Sequence, residues 1–413
     1  MASVEVERVR RLIDGLRRDR RTHPRHGRGE YSRLARDVVA ACEALIESEC
    51  RHDVPALARR AVDLVTTALR YVDDSSGVLG DDLRALMAVH ARACPAAPPD
   101  PKRLAGWLEK LRLDGPGWPD FELRDYAAAL GEKGRAELAR RVQDRARTAE
   151  PDVFGSTPFG IRVLREQLAE ISGDVDHYVA VLAENLHAAP QYRKIVDVLW
   201  NAGRAAEAER WARRGLEIGN SVDKGKLRDV YVDLLLERGA TDEAFALRWQ
   251  LFDGNPIKTN YDDLRRTAER IGDWPAVRDK AVSRLRDATA GQPAYADHLI
   301  GVYLDQGELD DAWQTAVDHV EVLFDSRWQQ LIELRQPIHP GDVIKPWQRL
   351  VQRRLDTSTD KYRYGKAIEM LRRLRDAYRA VGDVARFGTY LDHLRDRHKR
   401  KTSFIAKLDR AGL

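Results

Sequence analysis

Five glycines set the register of this chain. Gly203, Gly239, Gly272 and Gly307 stand 36, 33 and 35 residues apart, and Gly382 follows 75 residues later, about two further periods. Each ends one apolar run and precedes another. The clearest copies are residues 195–219, 230–256 and 298–320, in which Ala208, Ala244 and Ala312 stand five positions after the glycine. A helix that must turn back on itself needs a residue tolerant of the left-handed conformation, and glycine has no Cβ to oppose it. A small residue early in the second helix then lets the two helices approach closely. A fixed period in the mid-thirties predicts helical hairpins that stack, because no single hairpin can bury its apolar face alone.

Composition agrees. Of 413 residues, 43% are hydrophobic and 33% charged, which is apolar enough for a continuous core and excludes general disorder. Leu, Ala, Arg and Glu are abundant and favour helix, and no run alternates as a strand would. The predicted fold class is all-α. Four regions are expected: an N-terminal helix and basic loop (1–30), a helical-hairpin domain (31–190), the regular repeats (191–323), and an irregular repeat, last hairpin and basic C-terminal cap (324–413). Pro337, Pro340, Gly341 and Pro346 make the double-length gap before Gly382 irregular, so a distorted hairpin is expected there. No run of about 18 apolar residues occurs, so no membrane span or membrane partner is expected. The first residues lack the apolar core of a secretion signal. Cys42, Cys50 and Cys94 are too few and unevenly spaced for a disulfide framework, which points to a reducing cytoplasm.

The formal charge is only +4, so a case for nucleic acid has to come from local clustering. Two clusters exist. Residues 8–36 hold 11 arginines against 3 acids, and the run includes Arg17, Arg18, Arg20, Arg21, Arg25 and Arg28 around Pro24, Gly27 and Gly29. Residues 393–410 hold 7 Lys or Arg against 2 Asp, centred on Lys399, Arg400 and Lys401. Either could contact phosphates, although no aromatic residue precedes Tyr31 in the first cluster to stack on a base. The competing readings are a solvated inter-helix loop for the first and, for the second, a cap that lays Phe404, Ile405 and Leu408 on the last hairpin.

Other motifs lead away from chemistry. The acidic stretch 72–83 fails the EF-hand pattern: counted from Asp73, Gly77 is at the fifth position and no glutamate stands at the twelfth, so a helix cap is predicted instead. There is no phosphate loop, no His-Glu-x-x-His and no Gly-x-Ser-x-Gly. No enzyme activity, cofactor or metal is expected. Trp200, Trp211, Trp249, Trp274 and Trp313 are expected between helices.

The glycine-plus-small-residue pattern resembles the tetratricopeptide repeat. It departs from the strict form at Val196 and Val232 in the first helix, at Trp274-Pro275 and Val277 in the Gly272 copy, and at Phe387 in the Gly382 copy. The expected architecture is a tetratricopeptide-like α-solenoid of antiparallel helix pairs. The wider layout resembles the helical region that follows the finger in bacterial SWIM zinc-finger proteins. Tyr71-Val72-Asp73-Asp74-Ser75-Ser76-Gly77, the Ser172-Gly173-Asp174 break, Gly272-Asp273-Trp274-Pro275 and the ending Tyr390-Leu391-Asp392-His393 with His398-Lys399-Arg400-Lys401 carry the likeness, from about Tyr31 to the C-terminus. That resemblance implies an interaction module. The family's zinc motif, Cys-x-Cys then Cys-x-His, is not matched: Cys50-Arg51-His52 has no Cys-x-Cys upstream, and a structural zinc needs four ligands. The reading is a non-enzymatic scaffold for a protein partner. The alternative is a nucleic-acid-associated protein that uses the two basic clusters.

Overall fold

The glycine turns form as the period requires. In the computed structural model, which describes residues 2–17, 28–69, 74, 77–115, 120–150, 158–218 and 224–413, all five repeat glycines have positive φ, between 74° and 84°. Each closes the same pair of hydrogen bonds. Arg204 N–H donates to the Leu199 carbonyl and Gly203 N–H to that of Trp200, both at 2.9 Å. Ala240 and Gly239 repeat the pattern onto Leu235 and Leu236, as do Asp273 and Gly272, Glu308 and Gly307, and Asp383 and Gly382 on their own helices. This is the Schellman motif, which satisfies carbonyls that a helix end otherwise leaves unpaired. Ala208, Ala244 and Ala312 are fully buried at the positions where the second helix enters.

The chain divides into two compact units, residues 1–234 and 235–413. The first holds α1 (Ala2–Gly15), α2 (Arg28–Ile46), α3 (Val54–Leu69), α4 (Val78–Ala93), α5 (Pro101–Asp114), α6 (Leu123–Thr148), α7 (Phe159–Ser172), α8 (Val175–Ala183), α9 (Ala189–Asn201), α10 (Ala205–Glu217) and most of α11 (Lys224–Glu237). The second holds α12 (Thr241–Gly254), α13 (Lys258–Ile271), α14 (Trp274–Gly291), α15 (Ala296–Gln306), α16 (Leu309–Asp318), α17 (Asp325–Arg335), α18 (Ile344–Asp356), α19 (Arg363–Ala380), α20 (Val384–Arg397) and α21 (Thr402–Arg410). No strand occurs among the described residues. The fold class is all-α, built of tetratricopeptide-like antiparallel helix pairs.

In the first unit the helices interleave. Packing joins α1 to α3, α2 to α4, α4 to α6 and α5 to α7 as well as chain neighbours. Within α6, Gly131 leaves the helical region (φ 52°, ψ −166°), so this run turns at the glycine. The acidic stretch before α4 acts as a cap: Asp74 accepts the Leu79 and Gly80 N–H groups at 3.2 and 2.8 Å. Cys42 is fully buried on α2, and its thiol is pushed up to about 12 by burial and then by the neighbouring Glu43. His90 is also buried, 4.7 Å from the Trp107 ring and 3.2 Å from the Tyr126 hydroxyl. Burial, with a smaller contribution from the Arg59 charge, holds it down at about 4.

In the second unit an aromatic series runs through α12, α13 and α14: Phe252 meets Tyr261 at 5.9 Å, and Tyr261 meets Trp274 at 5.5 Å, both edge to face. Such pairs contribute about 0.5–1.5 kcal/mol beyond the area they bury. The double-length gap is filled by the pair α17 and α18. The last helix lays Phe404 and Leu408, both fully buried, against α19, with Phe404 5.8 Å from Tyr364. Of the five tryptophans expected between helices, Trp313 is buried and Trp200, Trp211, Trp249 and Trp274 are half-buried.

One close approach lies where the sequence pattern gave no hint of it. Gly215, in the second helix of its hairpin, would place a Cβ 2.6 Å from both Tyr192 Cβ and Leu227 Cδ2. Gly225, also helical, has open space around it. An alanine gains up to about 1 kcal/mol of helix propensity, less at Gly225 in the first turn of α11, but overpacking costs about 1–3 kcal/mol. Gly225→Ala is therefore expected to stabilise slightly and Gly215→Ala to destabilise, as measured by urea denaturation. Gly307→Ala meets no neighbour but must adopt positive φ, at a cost of about 1–2 kcal/mol. For His90 the sign follows from its lowered value: the unfolded chain takes a proton below about pH 6.5 that the folded chain refuses until about 4. Stability falls through that window by up to about 3 kcal/mol. In a pH series of unfolding curves, His90→Gln removes that part of the slope.

Candidate functional site

The structure treats the two basic clusters differently. In the first, Arg17 lies just after α1 and faces Asp14 at 3.5 Å. Arg18, Arg20, Arg21 and Arg25 lie outside the described residues, and Arg28 is the first residue of α2. In the second, Lys399 pairs with Asp396 at 3.0 Å. Lys401 donates to the Leu355 carbonyl at 2.5 Å and stands 3.4 Å from Asp356. Arg400 is exposed and has no acidic partner among the described residues.

Asp356, at the end of α18, organises this corner. Arg397 lies 3.2 Å away and the buried His398 3.8 Å away, and Gln352 also donates to it. Burial opposes ionisation of the carboxyl, but the hydrogen bonds from Gln352 and Lys401 and the surrounding positive charge outweigh it and hold it below the usual range. Lys401 thus anchors the last helix, whereas Arg400 faces solvent.

A groove that the sequence did not single out lies in the same unit, between α16, α17 and α18. It encloses about 530 Å³. Trp313 and Trp328 form its floor with ring centroids 5.7 Å apart and planes at 90°, and Val317, Val320 and Leu350 complete the apolar lining. Val317 is 44% exposed, and the loop that follows α16 leaves Val322 and Phe324 at 44% and 75%. The indole N–H of Trp328 is buried without an acceptor among the described residues. An unpaired buried donor costs about 1–3 kcal/mol.

The cations on the groove are mostly committed. Arg335 binds Asp310 and Asp342, Arg349 binds the Val320 carbonyl and Glu321, and Arg353 faces Asp325 at 3.1 Å. Lys345 has no acidic partner among the described residues. Sequence reading passed over the groove because Trp313 and Trp328 are 15 residues apart on different helices, and each alone looks like core.

A family model spans residues 20–407. The chain belongs to the DUF6880 family, a family of unknown function. No curated protein matches it. Among solved structures, a chain of the Naa15/Naa10 complex bound to HypK-THB is similar at 12% identity and TM-score 0.31 over 97% of this chain, which spans only 65% of that one. A human IFIT1 dimer with m7Gppp-AAAA aligns at 12% identity and TM-score 0.24 over 97% of this chain and 95% of its own. A circular tandem repeat protein aligns at 16% identity and TM-score 0.19 over 99% of both chains. At these scores none bears on function. No helix among the described residues is long and apolar enough to cross a membrane, and no group of three or more His, Cys, Asp or Glu among them could hold a metal.

Removing the carboxylate at the C-terminal corner should leave Lys401, Arg397 and His398 without their common partner. Asp356→Ala is expected to expose α21 to limited proteolysis ahead of the rest of the second unit and to lower stability by about 1–3 kcal/mol. Arg400→Gln should change neither.

Proposed function

We propose that this chain is a non-enzymatic helical-repeat scaffold and that its second unit holds a protein partner in the groove between α16, α17 and α18. The observation that carries the reading is the apolar opening over the Trp313 and Trp328 pair, edged by the exposed Val317. A protein segment supplies what the groove lacks: an apolar side chain to cover Trp313 and Val317. A volume of about 530 Å³ suits one or two anchoring side chains. Lys345 favours an acidic residue beside that anchor.

The resemblance to the helical region of SWIM zinc-finger proteins accords with an interaction module. The burial of Cys42, Cys50 and Cys94 accords with a reducing cytoplasmic setting. The second reading, a nucleic-acid-associated protein, is favoured by the exposed and unpaired Arg400 and by the arginine density of residues 17–28.

The two readings separate in one experiment. A photo-crosslinking residue replaces Gln314 in the full chain, which is then irradiated in its host cell. Attachment to one protein species, with yield falling about tenfold when Val317→Glu is added, is the expected result. Adducts with nucleic acid, or a protein adduct indifferent to Val317→Glu, would overturn the scaffold reading.

A further inference from the structure

We propose that a cleft in the first unit, lined by α3, α5 and α6, binds a small ligand that carries two or more phosphate groups. This site stands apart from the groove in the second unit and does not rest on the scaffold reading. The cleft encloses about 830 Å³, within the range of small-molecule pockets. Four of its cations, Arg59, Lys102, Arg103 and Lys110, have no acidic partner among the described residues, in a chain whose exposed arginines are otherwise extensively ion-paired.

The three acids on the cleft are already engaged. Asp63 accepts the Trp107 indole N–H at 2.8 Å, Glu137 accepts from Arg140 and Arg141 at 2.8 and 2.7 Å, and Asp114 accepts from Arg145 at 2.8 Å. The indole that Asp63 binds is neutral, so the Asp63 charge remains, but the four unpaired cations outnumber it and leave an excess of positive charge that an anionic ligand would offset. Two guanidinium groups supply forked donors suited to phosphate oxygens, and two ammonium groups supply point charges.

A second, independent feature points the same way. Thr66, on α3, lines the cleft and is only 7% exposed, and its hydroxyl has no hydrogen-bond partner among the described residues. The next residue, Thr67, spends its hydroxyl on the Asp63 carbonyl at 2.8 Å, the ordinary arrangement for threonine in a helix. Thr66 departs from that arrangement: its buried hydroxyl is left unpaired among the described residues, in a residue that lines the cationic cleft. Gly106 makes room for the remaining cation: a Cβ there would come 3.2 Å from Arg141 Cζ, so the guanidinium lies against the α5 backbone.

The geometry favours phosphate groups over bases. The Trp107 ring is buried, with Arg59 5.1 Å from its centroid on one contact and His90 4.7 Å away on another. It offers no open face for a base to stack on, as a single-stranded nucleic-acid site would require. The four cations border one cleft, with Lys102, Arg103 and Lys110 exposed at its edge. On α5 the recurrence of Lys102, Gly106 and Lys110 every four residues is the one sequence signal that could have revealed the site.

Inorganic tripolyphosphate is the probe, titrated calorimetrically into the full chain at physiological salt. Saturable one-site binding is expected. The double variant Arg59→Gln/Lys110→Gln should weaken it by about thirtyfold or more, and Arg400→Gln, in the other unit, should leave it unchanged. Thr66→Val guards against a merely structural explanation. It removes an unsatisfied buried hydroxyl, so thermal stability should hold or rise while affinity falls about fivefold. Absence of saturable binding would overturn the proposal, as would variants that bind as tightly as the parent chain. So would a thymidine decamer that binds the chain and that tripolyphosphate cannot displace, which would mark the cleft as a nucleic-acid contact.

Discussion

The hydrogen-bonded glycine turn is the constraint on which the hairpins depend. A helix end leaves carbonyls unpaired, and at Gly203, Gly239, Gly272, Gly307 and Gly382 the chain recovers two of them while reversing direction. That reversal is what sets the next helix against the last. Around these glycines no atom would meet a Cβ, so the requirement is one of backbone conformation and not of space. At Gly215 the requirement is the opposite: its φ is helical, and it is glycine because Tyr192 and Leu227 crowd it. The two kinds of glycine act on different steps, one on chain direction and the other on how near two helices can come.

This difference explains what could be read in advance. A turn glycine announces itself in a sequence, since it stands between two apolar runs and recurs. The small residue after it, Ala208, Ala244 or Ala312, is legible for the same reason, and so is the distorted pair α17 and α18, because a gap of twice the period needs filling. Gly215 sits inside a helix and shares no spacing with the other turns. Its neighbours come from the preceding and following helices, and that information is three-dimensional. The groove and the cleft were hidden for the same reason. Trp313 with Trp328, and Arg59 with Lys110, become neighbours only after the helices pack.

Charge behaves in a similar way. Counting residues drew attention to the termini, where basic side chains are consecutive. Folding redistributes their significance. Lys401 is drawn into the corner organised by Asp356, Lys399 is matched by Asp396, and Arg400 remains in solvent. On α5, which has no conspicuous basic run, Lys102, Arg103 and Lys110 keep their charges unmatched. The informative quantity is charge left over after the local acids have been assigned, and a linear count cannot supply it.

The interleaving of the first unit carries a further consequence. Its helices touch second neighbours at four places, α1 with α3, α2 with α4, α4 with α6 and α5 with α7, whereas in the second unit such packing is confined, at comparable extent, to α13 with α15 and α19 with α21. Loop closure over longer separations has to precede the contacts that reward it. The two units should therefore differ in how they acquire structure during synthesis. The N-terminal helices must wait for partners dozens of residues downstream to leave the ribosome, while later hairpins can settle almost as soon as they emerge. The early part of the chain is then the part with the longer interval of exposed apolar surface, and the one on which chaperones would have most to act.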